Sequence, residues 1–94
     1  VTKAGLSGLV NQLAVDWAKD MVLINSINPS MVETPMLKEN VNRDALKIIE
    51  SQIPLGRIAK PVEIAKVIEF LISEKNTYIT GAGIDINGGQ FLTG

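Results

Sequence analysis

Apolar positions along this chain repeat with two periods. Leu6, Leu9, Val10, Leu13, Ala14 and Trp17 recur at steps of three and four, which predicts one face of a helix over about Lys3 to Lys19. Val22-Leu23-Ile24 is instead continuously apolar and rich in branched side chains, which predicts a parallel strand over about Val22 to Asn28, covered on both faces. Ile64, Val67, Ile68, Leu71 and Ile72 return to helical spacing behind Lys60-Pro61. Pro61 suits a first turn, where a missing N–H is harmless, and Glu63 adds negative charge that the helix dipole favours. A last strand is predicted over Ala82 to Ile86, turned off by Asn87-Gly88-Gly89.

Between the strands, Lys38 to Ile53 mixes charged with apolar residues. Val41, Ala45, Ile48 and Ile49 fit a helical stripe, and Pro54 to Arg57 reads as a turn. The order is helix, strand, helix, helix, strand. The helical crossover makes this a β-α-β unit, so the fold class is α/β, with the two strands parallel and the crossover right-handed. Two parallel strands leave unpaired edges on both sides, which points to a larger sheet or to a partner chain supplying more strands.

Local chemistry adds detail. Two glycines, Gly5 and Gly8, sit in the first helix, each costing roughly 1 kcal/mol of propensity. A close backbone neighbour is the expected reason. No glycine follows that helix, so Asp20 or Met21 is expected to carry strain in ending it. Pro29 has no N–H for a ladder, so the strand is expected to stop before it. The loop Asn28-Pro29-Ser30 then lies at the carboxyl edge of a sheet, where open α/β folds bind ligands. An ordinary surface loop is the alternative.

Composition excludes several chemistries. There is no histidine and no cysteine, which removes His-based triads, zinc sites of His and Cys, and disulfides. No metal site is expected. The net charge of −1 offers no electrostatic case for nucleic acid or an anionic membrane. No apolar run approaches the roughly 20 residues that span a bilayer. Absent cysteine fits a reducing cytoplasm. The opening VTKAGLSG has neither an initiator Met nor the apolar run of a signal peptide, and reads as cut from something longer.

Taken together, VTKAGLSGLVNQLAVDWA, INSINPSMVETPM, PLGRIAKPVEIAKVIEFL and YITGAGIDINGG resemble the C-terminal part of a short-chain dehydrogenase/reductase, in the right order and at the right spacings. The resemblance implies the last part of a Rossmann-type, doubly wound parallel sheet. Residues 1–94 would form the C-terminal piece of one dinucleotide-binding domain. It implies an NAD- or NADP-dependent oxidoreductase that moves a hydride between nicotinamide and a carbonyl or alcohol substrate, and a homo-oligomer.

Residue by residue, Lys3 matches the family's catalytic Lys of Tyr-x-x-x-Lys, which holds the nicotinamide ribose and lowers the pKa of the Tyr. The Tyr would lie two residues before Val1. A cation nearby favours the phenolate, whose ordinary pKa is about 10. By itself Lys3 reads as a solvated lysine.

Pro29, Ser30, Val32 and Thr34 match the loop that passes the nicotinamide ring. The main chain at Val32 would bond its carboxamide, and Thr34 would contact carboxamide or phosphate. Thr34 also reads as a helix N-cap. Met36 and Leu37 open the segment 36–53, which matches the family's substrate lid. Three positions depart from the family pattern: Ser30 and Met21 stand where glycine is usual, and Asn87 where Asp is frequent.

The sole tyrosine, Tyr78, is followed four residues later by Ala82 and cannot serve as the catalytic one. It is expected at the rim of the core, with its OH on a polar group. Gly81, Gly83, Gly88 and Gly89 flank a strand and do not make a phosphate loop. Arg57 reads as structural, pinning its turn. The isolated chain is expected to be inactive, because Tyr, Ser and the Gly-rich loop of the family lie outside it. The alternative reading is a non-catalytic oligomerisation module or a decayed relative.

Overall fold

The computed structural model describes residues 3–35 and 42–90. Their elements are α1 (Lys3–Trp17), a 3₁₀ turn (Ala18–Asp20), β1 (Ser26–Pro29), α2 (Arg43–Ser51), α3 (Pro61–Ile72) and β2 (Gly83–Ile86). β1 and β2 pair as a two-stranded sheet. Ser26 N–H donates to Ala82 O at 2.9 Å and Ser30 N–H to Ile86 O at 3.1 Å. Both partners advance four residues together, so the strands run parallel, as the β-α-β pattern requires.

The strand differs from its sequence expectation at both ends. Pro29 is its last residue rather than the first beyond it. The N–H groups of Ser26 and Ser30 face β2, so an N–H at the odd position 29 would face away from it. The ladder therefore loses nothing at Pro29. At the other end, Val22 to Asn25 lies outside the strand: Gly81 N–H donates to Ile24 O at 2.7 Å, but side chains take the neighbouring bonds. Ile24 N–H donates to Thr80 Oγ1, and Asn25 Nδ2 to Ile79 O. Asn25 Oδ1 accepts from Ala82 N–H.

Contacts group the chain into two units, Val1–Asn28 with Val67–Ile84, and Pro29–Lys66 with Asp85–Gly94. In the first unit, Val10 and Ala14 on α1 are buried and Leu13 is half-buried, while Leu6, Leu9 and Trp17 of the expected face are exposed. No atom approaches the Cβ position of Gly8. A close approach is found at Gly81, with φ +73°, where a Cβ would meet Ala14 Cβ at 3.3 Å. The helix ends as anticipated: Met21 has φ 62° and its N–H donates to Ala18 O.

Asn76 is buried and closes the turn after α3. Its Nδ2 donates to Leu71 O and Ile79 O, and its Oδ1 accepts from Ile79 N–H. Tyr78 is 95% exposed, contrary to the rim position expected of it. The turn held by Asn76 directs the ring outward. Ile68 and Ile72 are exposed as well. With Leu23, Ile24, Ile27 and Leu71 they line an open apolar groove of about 270 Å³. Their helical spacing was legible, but nothing in the described residues covers that face.

In the second unit α2 starts at Arg43, capped by Asn42 Oδ1, which accepts from Ala45 N–H at 2.7 Å. Ile53 is buried beyond its end, and Ala45, Leu46 and Ile49 are half-buried. Ile48 is 62% exposed, so the expected stripe is rotated. Leu46, Ile49 and Ile53 follow three- and four-residue steps, and Ile48 falls off that face. Val41, the stripe's remaining member, lies outside the described residues.

Candidate functional site

The loop after β1 belongs to the second unit and is held by two short pairings. Ser30 N–H is bound to Ile86 O. Two residues on, Val32 and Ala59 form an isolated parallel bridge. Its hydrogen bonds run from Glu33 N–H to Ala59 O at 2.8 Å and from Ala59 N–H to Met31 O at 3.2 Å. In a parallel bridge one residue lends both of its polar groups and the other neither; here Ala59 lends both. The N–H and C=O of Val32 therefore point away from Ala59. The bridge holds Val32 in place and leaves its N–H and C=O unused by the pairing.

Ser30 takes the glycine position without backbone strain, since Met21 is the sole non-glycine with positive φ among the described residues. Ser30 lines a small hollow with Met31, Ile53, Ile58, Ile86 and Asn87. Thr34 is exposed and precedes Pro35, where the backbone turns helical. Lys3 is the first residue of α1, in the first unit, and its side chain lies outside what is described. Met36 and Leu37 also lie outside the described residues. Of the predicted site residues, Pro29 thus ends β1, and Ser30, Val32 and Thr34 follow on the loop after it.

Ala59, which anchors that loop, is itself anchored by an ion pair. Arg57 Nη1 and Nη2 donate to Glu63 Oε1 and Oε2 at 2.7 and 2.8 Å, and Arg57 Nη1 reaches Ile58 O at 3.3 Å. Glu63 Oε1 also accepts from Lys60 N–H at 2.9 Å. This is the returning half of a capping box: an acid at the third helical position holds the N-cap N–H. The fork–fork bond from Arg57, aided by the Lys60 N–H, lowers the Glu63 carboxyl to about 2. Arg57 is raised by the same partner. The structural role expected of Arg57 is what the geometry gives, through a partly exposed carboxylate.

Sequence reasoning missed Ala59, Asn25 and Asn76. A bridge of one residue pair leaves no periodic trace. An Asn that binds backbone three residues on is visible only as a polar residue between two apolar segments.

Residues 1–90 match the family model described as enoyl-(acyl carrier protein) reductase. The chain belongs to the short-chain dehydrogenase/reductase family. It is 44% identical over 93 residues to the 3-oxoacyl-[acyl-carrier-protein] reductase FabG of Aquifex aeolicus, covering 96% of this chain and 36% of that protein. It is 40% identical over 91 residues to an acetoacetyl-CoA reductase of Acinetobacter sp., covering 97% and 36%.

Among solved structures, YwfH, an NADPH dependent reductase involved in bacilysin biosynthesis, superposes with a TM-score of 0.85 at 28% identity, over 96% of this chain and 38% of that one. A short chain dehydrogenase family protein from Francisella tularensis gives 0.83 at 34% identity, over 94% and 40%. The chain therefore spans about a third of the length of the reductases it matches, and its α/β architecture is that of a short-chain dehydrogenase/reductase segment.

Proposed function

We propose that this chain is the C-terminal part of a single dinucleotide-binding domain in an NAD- or NADP-dependent reductase, and that it supplies the nicotinamide-side wall of the cofactor site. The main chain of Val32, whose N–H and C=O the bridge to Ala59 does not use, carries this reading. An N–H and a C=O on one residue match the acceptor and donor of a carboxamide. When bound, a nicotinamide supplies or accepts the hydride; the protein orients it.

Val32 would fix the carboxamide, and Thr34 would add a hydroxyl to carboxamide or phosphate. Pro29 and Ser30 set the path of the loop beside the ring. Lys3 would hold the nicotinamide ribose and favour the phenolate of a tyrosine outside this chain. Met36 and Leu37, at the start of segment 36–53, would close over a small carbonyl or alcohol substrate. The curated relatives named above are reductases, which supports this class; none of them decides between NAD and NADP for this chain.

The working protein would be a cytoplasmic homo-oligomer. Among the described residues no helix is long and apolar enough to cross a membrane. Leu9, Val15 and Trp17, 53%, 73% and 49% exposed on α1, also support the second reading, an assembly module without turnover of its own.

The test is nicotinamide oxidation with carbonyl substrates. The longest polypeptide containing this segment should turn over, and the 94-residue chain should not. Turnover by the short chain alone, or none by the long one, would refute the reading.

A further inference from the structure

The turn that ends β2 has a chemical property independent of the nicotinamide site. Gln90 N–H donates to Asn87 O at 3.0 Å, and the two central residues, Gly88 and Gly89, have φ of +60° and +88°. This is a type I′ turn. Asn87 Oδ1 accepts from Gly89 N–H at 2.9 Å, which draws electron density from its amide carbon. Among the described residues the Gly88 N–H donates to no acceptor, although Gly88 O is held by Leu55 N–H at 3.1 Å. A polarised side-chain carbonyl and an unengaged backbone nitrogen thus stand next to each other in sequence. Glycine at the second position adds no side chain to hinder their approach.

We infer that Asn87 is a site of spontaneous deamidation in the folded chain. The Gly88 nitrogen attacks Asn87 Cγ. The N–Cγ bond forms, the Cγ–Nδ2 bond breaks, and Nδ2 leaves as ammonia with the proton lost by the Gly88 nitrogen. Water then opens the cyclic imide. Cleavage of the new N–Cγ bond leaves aspartate at position 87, and cleavage on the main-chain side leaves isoaspartate. Nothing is oxidised or reduced.

The two products differ in consequence. An aspartate carboxylate accepts the same Gly89 N–H, now as a charge-assisted bond, and so keeps the turn. Isoaspartate inserts a methylene into the main chain and breaks the pairing of Asn87 with Gln90. The change adds one negative charge beside the hollow that Asn87 shares with Ser30 and Arg57.

The experiment incubates the intact folded chain in mildly alkaline buffer and maps its peptides over time. Asn87 is the sole asparagine followed by glycine, against Asn11, Asn25, Asn28, Asn40, Asn42 and Asn76. It should convert ahead of all six, without denaturant, into both aspartate and isoaspartate. Asn87→Asp should melt no lower than the parent. Conversion confined to urea, or conversion of another asparagine first, would each overturn the inference, and a markedly lower melting temperature for Asn87→Asp would overturn the claim that the aspartate product keeps the turn.

Discussion

Glu63 grips Arg57 through both carboxylate oxygens while one of them also holds the Lys60 N–H that opens α3. One side chain therefore ties the Arg57 turn to a helix start, with Ala59 and its bridge to Val32 between them. The carboxyl is held at about 2 against an ordinary 4.5, so it binds fewer protons folded than unfolded near pH 4. Its contribution is complete above 4.5 and is lost as pH falls towards about 2. Urea midpoints followed across that range should drop for the parent and drop less for Glu63→Gln. Equal acid slopes would contradict the role given to this pair.

Asn76 is the buried polar residue of the first unit, and all its side-chain hydrogen bonds go to main chain. Asn76→Ala should cost about 2 kcal/mol, since it leaves Leu71 O and Ile79 N–H without their partner, while Ile79 O keeps Asn25 Nδ2. Asn76→Asp should cost more, because a carboxylate cannot donate to Leu71 O or Ile79 O. Chemical denaturation of the two variants gives the order.

Met21 stands in the left-handed region and is 87% exposed, so it has backbone strain and little packing to lose. Met21→Gly should stabilise the chain by about 0.5–1 kcal/mol, the left-handed penalty less the added entropy of glycine in the unfolded state. A thermal melt is sufficient to detect it.

Gly88 has the opposite sensitivity. Its φ is +60°, and a Cβ there would lie 2.7 Å from Ile53 Cγ2, the most buried apolar residue described. Gly88→Ala should cost about 1–3 kcal/mol from crowding alone. Gly83→Ala should be milder, since its φ is not positive and the nearest atom, at 3.2 Å, is the end of the Asn28 side chain. Comparing the two denaturation midpoints checks this ranking.

The helices and the parallel strands were legible because each rests on a local signal: apolar period, Pro61 at a first turn, Pro29 near a strand end. What escaped has a non-local cause. Ile68 and Ile72 read as core but face an open groove, because periodicity reports which residues are apolar and not what covers them. Tyr78 points outward because Asn76 bends the chain before it. β1 starts at Ser26 rather than Val22: Gly81 N–H still reaches Ile24 O, but Thr80 and Asn25, 55 positions apart in sequence, take the bonds beside it. On the loop after β1, Val32 is singled out by a motif, whereas Ala59, which bridges to it, has no signature of its own.

The central claim is that Val32 offers its main chain to a nicotinamide carboxamide while Ala59 holds it in place. Val32→Pro removes the N–H that the bridge does not use, and Val32→Ala retains it. In the longest polypeptide containing this segment, the cofactor dissociation constant, read by nicotinamide fluorescence, should rise about 3- to 10-fold for Val32→Pro, the worth of one hydrogen bond. It should stay near the parent value for Val32→Ala. Equal affinity in the parent and in a folded Val32→Pro variant would contradict the account.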